Sequence, residues 1–313
     1  MHHMLDGFVV KAQSGLFTVQ TEQGPIVCTL RGRLKRLRSD SNLAAVGDRV
    51  TIRVSKENTG VICDVAPRER ALTRRINSSK SRRKPFYRDR PLEQVILANP
   101  DQALFVFSCS EPAPRLGMLD RFLVVAEANE IPAIVCANKV DLVGGAAARD
   151  LFGLYAQLGY KVQYCSATTG EGVEALKERL ENKLSVLAGP SGAGKTSLLN
   201  EIQPGLGLSV KPVSTATSKG RHTTVYPQLT PLDGGGWVAD TPGKRSMALF
   251  DIEAEELDGY FVELAPLVSG CEFSDCSHIH EAGCAVIAAV ERGAVHIKRY
   301  ESYRRMWLGE TDA

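Results

Sequence analysis

The 313-residue sequence has no apolar run approaching the roughly 20 residues of a bilayer-spanning helix. Its start, MHHMLDGFVV, lacks the basic region, long apolar stretch and cleavage site of a secretory leader. A cytoplasmic protein without membrane association is therefore expected. Charge bias is also missing: 38 Lys and Arg against 36 Asp and Glu leave a formal net charge of +2. Any surface for a polyanion must then come from local clustering. No internal repeat or low-complexity tract is present, which excludes repeat architectures. With 43% hydrophobic residues, the chain can fill one large core or two to three smaller ones. Five of its cysteines, Cys28, Cys63, Cys109, Cys136 and Cys165, sit in apolar or strand-like surroundings and read as reduced structural thiols. The other three crowd together near the C-terminus.

Three segments differ in character. Residues 1–67 carry five short alternating runs, GFVVKA, LFTVQT, PIVCTL, DRVTIRV and TGVICDV, separated by Gly, Asn and Asp turn signals. These predict an all-β, OB-like barrel, a fold that often binds oligonucleotides. Arg31, Arg33, Lys35, Arg36 and Arg38 would form its basic loop, as an RNA contact or as a solvated surface. Residues 68–91 read as a basic linker: from Arg68 to Arg90 there are ten Lys or Arg against two acidic residues, with Phe86 and Tyr87 interleaved. Such a run can track phosphates while its aromatics stack on bases, or it can simply be solvated. Over residues 92–245, apolar strands (ALFVFS, PAIVCAN, KVQYCSA, LSVLAG, GWVAD) alternate with helical patterns, the signature of a parallel α/β sheet. In VEALKERL, Val173, Leu176 and Leu180 share the face expected to meet that sheet.

The strand LSVLA runs into Gly189-Pro190-Ser191-Gly192-Ala193-Gly194-Lys195-Thr196-Ser197 and then a helical stretch, which matches a phosphate-binding loop in spacing and context. Its glycines let successive N–H groups converge on phosphate oxygens, and the helix start adds positive potential. Lys195 would bridge the β and γ phosphates, and the Thr196 hydroxyl would hold Mg²⁺. This loop alone separates neither GTP from ATP nor a switch from a small-molecule kinase.

Asn138-Lys139-Val140-Asp141, closing the strand PAIVCA, decides for guanine, because the Asp141 carboxylate can accept from both the ring N–H and the exocyclic amine. Asn138 is expected to order the loop, the Lys139 stem to lie over the purine, and Ser166-Ala167 to offer a backbone amide to the guanine carbonyl. Asp240-Thr241-Pro242-Gly243 follows the strand GWVA, with Asp240 expected near Mg²⁺ through water and the Gly243 amide at the γ-phosphate. Upstream, Gly220-Arg221-His222-Thr223-Thr224 lies where a switch loop belongs, with Thr224 preferred over Thr223 for the Mg²⁺ shell. Where many GTPases carry a water-orienting glutamine, this chain has Lys244. His222 is the local alternative, or an ordinary surface histidine. Slow intrinsic turnover raised by a partner is expected. Because the guanine-reading residues precede the phosphate loop, the motif order is that of a circularly permuted GTPase.

Residues 246–313 are expected to form a mostly helical zinc-binding domain. Cys271, Cys276 and Cys284 with His278 or His280 place three thiolates and an imidazole in fourteen residues, a donor set suited to closed tetrahedral Zn²⁺. The tail VHIKRYESYRRMWL reads as an amphipathic helix, with Lys298, Arg299, Arg304 and Arg305 as possible RNA contacts.

Together and in this order, the NKVD tetrapeptide, GPSGAGKTS, the Gly220–Thr224 loop, DTPG and the Cys/His set resemble the bacterial ribosome small-subunit-dependent GTPase A (RsgA/YjeQ) family over essentially the whole chain. The resemblance implies an α/β P-loop core, circularly permuted, between an OB barrel and a zinc domain. It implies GTP hydrolysis to GDP in late small-subunit maturation, stimulated by the subunit, with rRNA as a contact. It also implies His278 as the fourth zinc ligand and His222 as the water-positioning residue. Val225 and Thr241 depart from the common family pattern of a third threonine and a serine, without removing a proposed ligand. A monomer is expected.

Overall fold

The computed structural model describes residues 3–32, 43–55, 58–76, 92–207, 228–240 and 252–310. The N-terminal strands are β1 (Met4–Gln13), β2 (Leu16–Thr21), β3 (Gly24–Leu30), β4 (Arg49–Val54) and β5 (Thr59–Val65), and they close into a barrel in the order β1-β2-β3-β5-β4. Side chains alternate across each strand, so Phe17 and Val19 of β2, Ile26 and Cys28 of β3, and Val50 and Ile52 of β4 fill the interior. Closure leaves no strand edge unpaired. All five expected strands are present.

The stretch read as a linker begins with fixed structure. Strand β6 (Ala71–Ile76) pairs antiparallel with β7 (Leu92–Ala98). Ahead of it, Arg68 donates from Nε and Nη2 to the fully buried Asp48 carboxylate at 2.7 and 2.8 Å, and the Ala45 amide donates to the same group at 2.7 Å. The Ala98 amide donates to Val46 O at 2.8 Å. The hairpin is thereby fastened to the barrel, a long-range pairing that the basic composition of the stretch conceals. Phe86 and Tyr87 lie outside the described residues, as do Arg33, Lys35, Arg36 and Arg38 of the expected basic loop.

Strands β8 (Gln102–Ser108), β9 (Ala133–Asn138), β10 (Lys161–Cys165), β11 (Leu184–Ala188), β12 (Leu229–Pro231) and β13 (Trp237–Asp240) form a six-stranded sheet ordered β10-β9-β8-β11-β13-β12. Every residue of β8 is buried, as the apolar run ALFVF within it requires of a central strand. The pairs β9/β10 and β11/β13 are parallel, and β12 is antiparallel to β13. Helices α1 (Leu116–Ala128), α2 (Gly145–Gln157), α3 (Val173–Leu180) and α4 (Lys195–Ile202) alternate with the strands. On α3, Val173, Leu176 and Leu180 are buried, the face read from the sequence. Helix α2 has a short apolar face, with only Ala148, Phe152 and Tyr155 buried, so it carries little periodic signal.

The C-terminal region has a 3-10 turn (Ala254–Tyr260) and helices α5 (Ala265–Val268), α6 (Ala285–Glu291) and α7 (Ile297–Trp307) around Leu257, Phe261, Leu264, Val286 and Tyr303. The chain divides into two compact units, each discontinuous: Met1–Ala103 with Lys177–Ala188 and Lys211–Ser246, and Leu104–Leu176 with Gly189–Val210 and Met247–Ala313.

One basic residue of the tail is buried, contrary to the expected RNA contact. Arg299 is 1% exposed and makes no RNA surface. Its Nη1 donates to Asp120 at 2.6 Å and its Nε to Glu263 at 2.6 Å, while the guanidinium lies 4.5 Å from the Phe261 ring centroid. Lys298, Arg304 and Arg305 are exposed on the same helix.

Candidate functional site

The Asn138–Asp141 loop and the Gly189–Ser197 loop meet in the second unit. Asn138, the last residue of β9, is fully buried; its Nδ2 donates to Ala193 O at 2.8 Å, and its Oδ1 accepts from the Ala167 amide at 3.3 Å. One side chain therefore ties three segments separated in sequence: the end of β9, the loop after β10 and the phosphate loop. Space around it is tight, since a Cβ on Gly194 would lie 2.3 Å from Asn138 Nδ2, and Gly194 has φ +90°. A Cβ on Gly189 would lie 2.1 Å from Val106 O, which makes that position glycine-only as well.

Lys195 opens α4, and its ammonium donates to Gly189 O at 2.8 Å and Pro190 O at 3.0 Å, inside the loop it is expected to serve. Thr196 and Ser197 follow in the first turn of the same helix. Ala193 is buried, while Ser191 is exposed at the loop tip. Lys139 adopts the left-handed conformation at φ 64°, and its Nζ donates to Glu111 O. Asp141 is exposed in the 3-10 turn Val140–Leu142. Burial, and then the Asp141 carboxylate, push the neighbouring Cys109 thiol up to about 11, so it stays protonated. Ser166 is buried, and its hydroxyl accepts from the Thr168 and Thr169 amides at 3.2 and 3.1 Å, which shapes the loop carrying Ala167. Asp240 ends β13, adjacent to the end of β11 through the Leu187–Asp240 pairing. Gly220 to Thr224, including His222, and Thr241 to Lys244, including Gly243, lie outside the described residues.

The second site is the cysteine–histidine cluster. One ligand atom each from Cys271, Cys276, His278 and Cys284 lies within 4.8 Å of the others. His278 Nδ1 is 3.5 Å from Cys271 Sγ and 3.3 Å from Cys284 Sγ, and the two sulfurs are 3.9 Å apart. Tetrahedral zinc, with Zn–S near 2.3 Å and Zn–N near 2.05 Å, requires S···S of about 3.8 Å and S···N of about 3.6 Å. The donor set fits. Burial, only partly offset by the His278 backbone donor and reinforced by the adjacent Cys284 and Cys271 thiols, pushes the Cys276 thiol up to about 12, so a cation is needed to hold it as a ligand thiolate. His280 is exposed and outside the cluster.

Several supporting residues carry no sequence signal. Asp258 Oδ2 lies 3.0 Å from His278 Nε2, orienting the ring as second-layer carboxylates orient zinc-bound imidazoles. Tyr300 and Tyr303 of α7 donate to the carbonyls of His278 and Ser277 at 2.8 and 2.9 Å. Desolvation pushes the Glu281 carboxyl up, but donors from Ser277 and the His280 amide hold it well below the usual range, pinning the loop. Cys284 Sγ also caps α6 by accepting from the Ile287 amide at 3.4 Å.

The chain is similar to known proteins over nearly its whole length. The RsgA GTPase family model matches residues 66–250, and the RsgA N-terminal domain model matches residues 6–62. A small ribosomal subunit biogenesis GTPase RsgA of Gemmatimonas aurantiaca is 45% identical over 303 residues, covering 96% of this chain and 95% of the relative. Its counterpart from Thermotoga petrophila is 41% identical over 307 residues, with 96% and 95% covered. The crystal structure of YjeQ from Thermotoga maritima aligns with a TM-score of 0.76 at 37% identity, over 98% of each chain. YloQ, a circularly permuted GTPase, aligns with a TM-score of 0.72 at 32% identity, over 98% of this chain and 95% of its own.

Proposed function

This chain belongs to the RsgA GTPase family, and from that premise we propose that it hydrolyses GTP to GDP and phosphate in the biogenesis of the small ribosomal subunit. The observation that carries the reading is the Asn138 bridge, which ties the guanine-reading strand end to the phosphate loop and to the Ala167 loop. In the proposed complex, Asp141 accepts from guanine and the Lys139 stem covers the purine. Amides of Gly189 to Gly194 surround the phosphates, and Lys195 leaves its carbonyl partners for the β and γ oxygens. Magnesium arriving with GTP would screen the phosphate charge. Thr196, with Thr224 and Asp240, would hold it, and the Gly243 amide would meet the γ-phosphate. His222 orients the attacking water in place of a glutamine. The assignments to His222, Thr224, Asp240 and Gly243 rest on sequence and family pattern.

Zinc at Cys271, Cys276, His278 and Cys284 has a structural role, because four protein ligands leave no position for a water nucleophile. The proposed setting is the cytoplasm, with the chain acting as a monomer that contacts rRNA. Its barrel, the 68–91 basic segment and the exposed face of α7 supply those contacts; among the described residues, no helix is long and apolar enough to cross a membrane.

The test is GTP turnover with isolated small subunits, with large subunits and with none. Stimulation by small subunits alone is expected, and equal rates in all three would overturn the reading. Asp141→Asn should weaken GTP binding and admit xanthosine nucleotides; unchanged base preference would remove Asp141 from guanine recognition.

A further inference from the structure

The first unit contains a cavity of about 690 Å³, within the range of roughly 300–1,000 Å³ typical of small-molecule sites. One wall comes from barrel strands β1, β4 and β5, and the other from the first residues of β11 and β13. The walls meet where Phe8 sets its ring edge-on against Trp237, 5.0 Å between centroids at 85°. Both aromatics are only partly buried, so ring surface remains for a ligand.

The polar groups around these rings are unevenly spent. Asp6, Asp64 and Asp101 line the cavity together with Arg49 and Lys183. Asp6 Oδ1 accepts from the Thr51 hydroxyl at 2.7 Å, and Asp101 Oδ2 accepts from the Leu184 amide at 2.7 Å. Among the described residues, the other oxygens of Asp6 and Asp101 and both of Asp64 have no hydrogen-bond partner. Arg49 lies 3.6 Å from Glu69, which offsets its charge. Carboxylates thus outnumber free cations beside two aromatic rings, and both features favour a flat, positively charged guest.

We propose that this cavity binds a planar aromatic cation, a fused heteroaromatic ring whose ring nitrogen is protonated at neutral pH. The ring packs against Trp237 and Phe8, and its charged N–H groups pair with Asp64 and the free oxygen of Asp101. Leu184 and Trp237 begin their strands, whereas the phosphate loop follows the far end of β11. Four residue steps of about 3.3 Å place roughly 13 Å between the two ends. GTP and the cation therefore bind without competing.

Proflavine is the probe, titrated by fluorescence polarisation into the full-length, zinc-loaded, RNA-free chain with and without saturating GDP. One proflavine per chain is expected, with the same affinity in both conditions, while anionic acridine-9-carboxylate does not bind. Asp64→Asn, an exposed substitution that preserves shape, should keep GTP turnover and weaken proflavine about twofold to fivefold, the loss of one exposed ion pair. Trp237→Leu should weaken it further. Displacement of proflavine by GDP would place it in the nucleotide site and overturn the proposal. Absence of saturable binding, or native affinity in both variants, would overturn it as well. None of these outcomes depends on the ribosomal reading, which the turnover assay tests separately.

Discussion

Arg299→Met offers the sharpest test of what holds the metal module to the α/β core in the second unit. The Arg299, Asp120 and Glu263 side chains are 1%, 4% and 9% exposed. Arg299 donates three charge-assisted hydrogen bonds, at 2.6 Å to Asp120 and at 2.6 and 3.2 Å to Glu263. Asp120 also accepts from Tyr155 at 2.8 Å and from Ser302, so α1, α2 and α7 converge on it. Bonds of this kind contribute about 1.5–3 kcal/mol each. Water reaching the freed carboxylates recovers part, leaving an expected loss of about 3–5 kcal/mol. An m-value of about 2–3 kcal/mol/M converts this into a drop of roughly 1–2.5 M in the urea midpoint. The assay follows Trp307 fluorescence in a Trp237→Phe background, which leaves a single reporter on α7. Adding Asp120→Asn and Glu263→Gln to Arg299→Met removes the stranded charges and should restore part of the stability. A loss under about 1 kcal/mol, or a triple variant no more stable than the single, would refute the argument that unpaired buried charge dominates here.

Three further outcomes follow from the geometry. Asp258→Asn removes the carboxylate on His278 Nε2 and should weaken zinc about 10–100-fold, measured by chelator competition; unchanged affinity would deny Asp258 that role. Gly194→Ala forces a Cβ onto Asn138 Nδ2 at 2.3 Å from a left-handed backbone, so GDP binding by calorimetry should be lost while the thermal transition of the barrel persists. Asp48→Asn leaves Arg68 without its buried anion and should cost about 2–4 kcal/mol; faster amide hydrogen exchange in β6 and β7 should accompany the loss, and native protection there would count against the clasp.

The metal-ligand and nucleotide motifs were readable because their chemistry is local. A phosphate loop needs glycines at set offsets before a helix, a guanine reader needs a carboxylate just past a strand end, and a closed zinc site needs four soft donors within a short span. Alternation of apolar residues likewise marked the five barrel strands, since a period of two is what a half-buried pleat imposes. Local spacing leaves His278 and His280 as alternatives, and tertiary structure separates them: His278 is buried against two sulfurs, and His280 is exposed.

Other features depend on partners that the local sequence does not identify. Arg299 sits in a basic run and reads as surface, yet its partner Asp120 is 179 residues away. Asp258 lies 20 residues before His278 in no recognisable pattern, and Arg68 finds Asp48 20 residues earlier. Charge alone says nothing about burial, because a long cationic side chain can be solvated or buried with equal local sequence cost. Residue types, spacing and motif order by themselves determined the guanine and metal chemistry and the permuted order of the core. Which charges are buried, which carboxylate orients the imidazole, and where a cavity opens beside Phe8 and Trp237 were decided only when distant segments packed together, since long-range pairing leaves no period for local sequence to display.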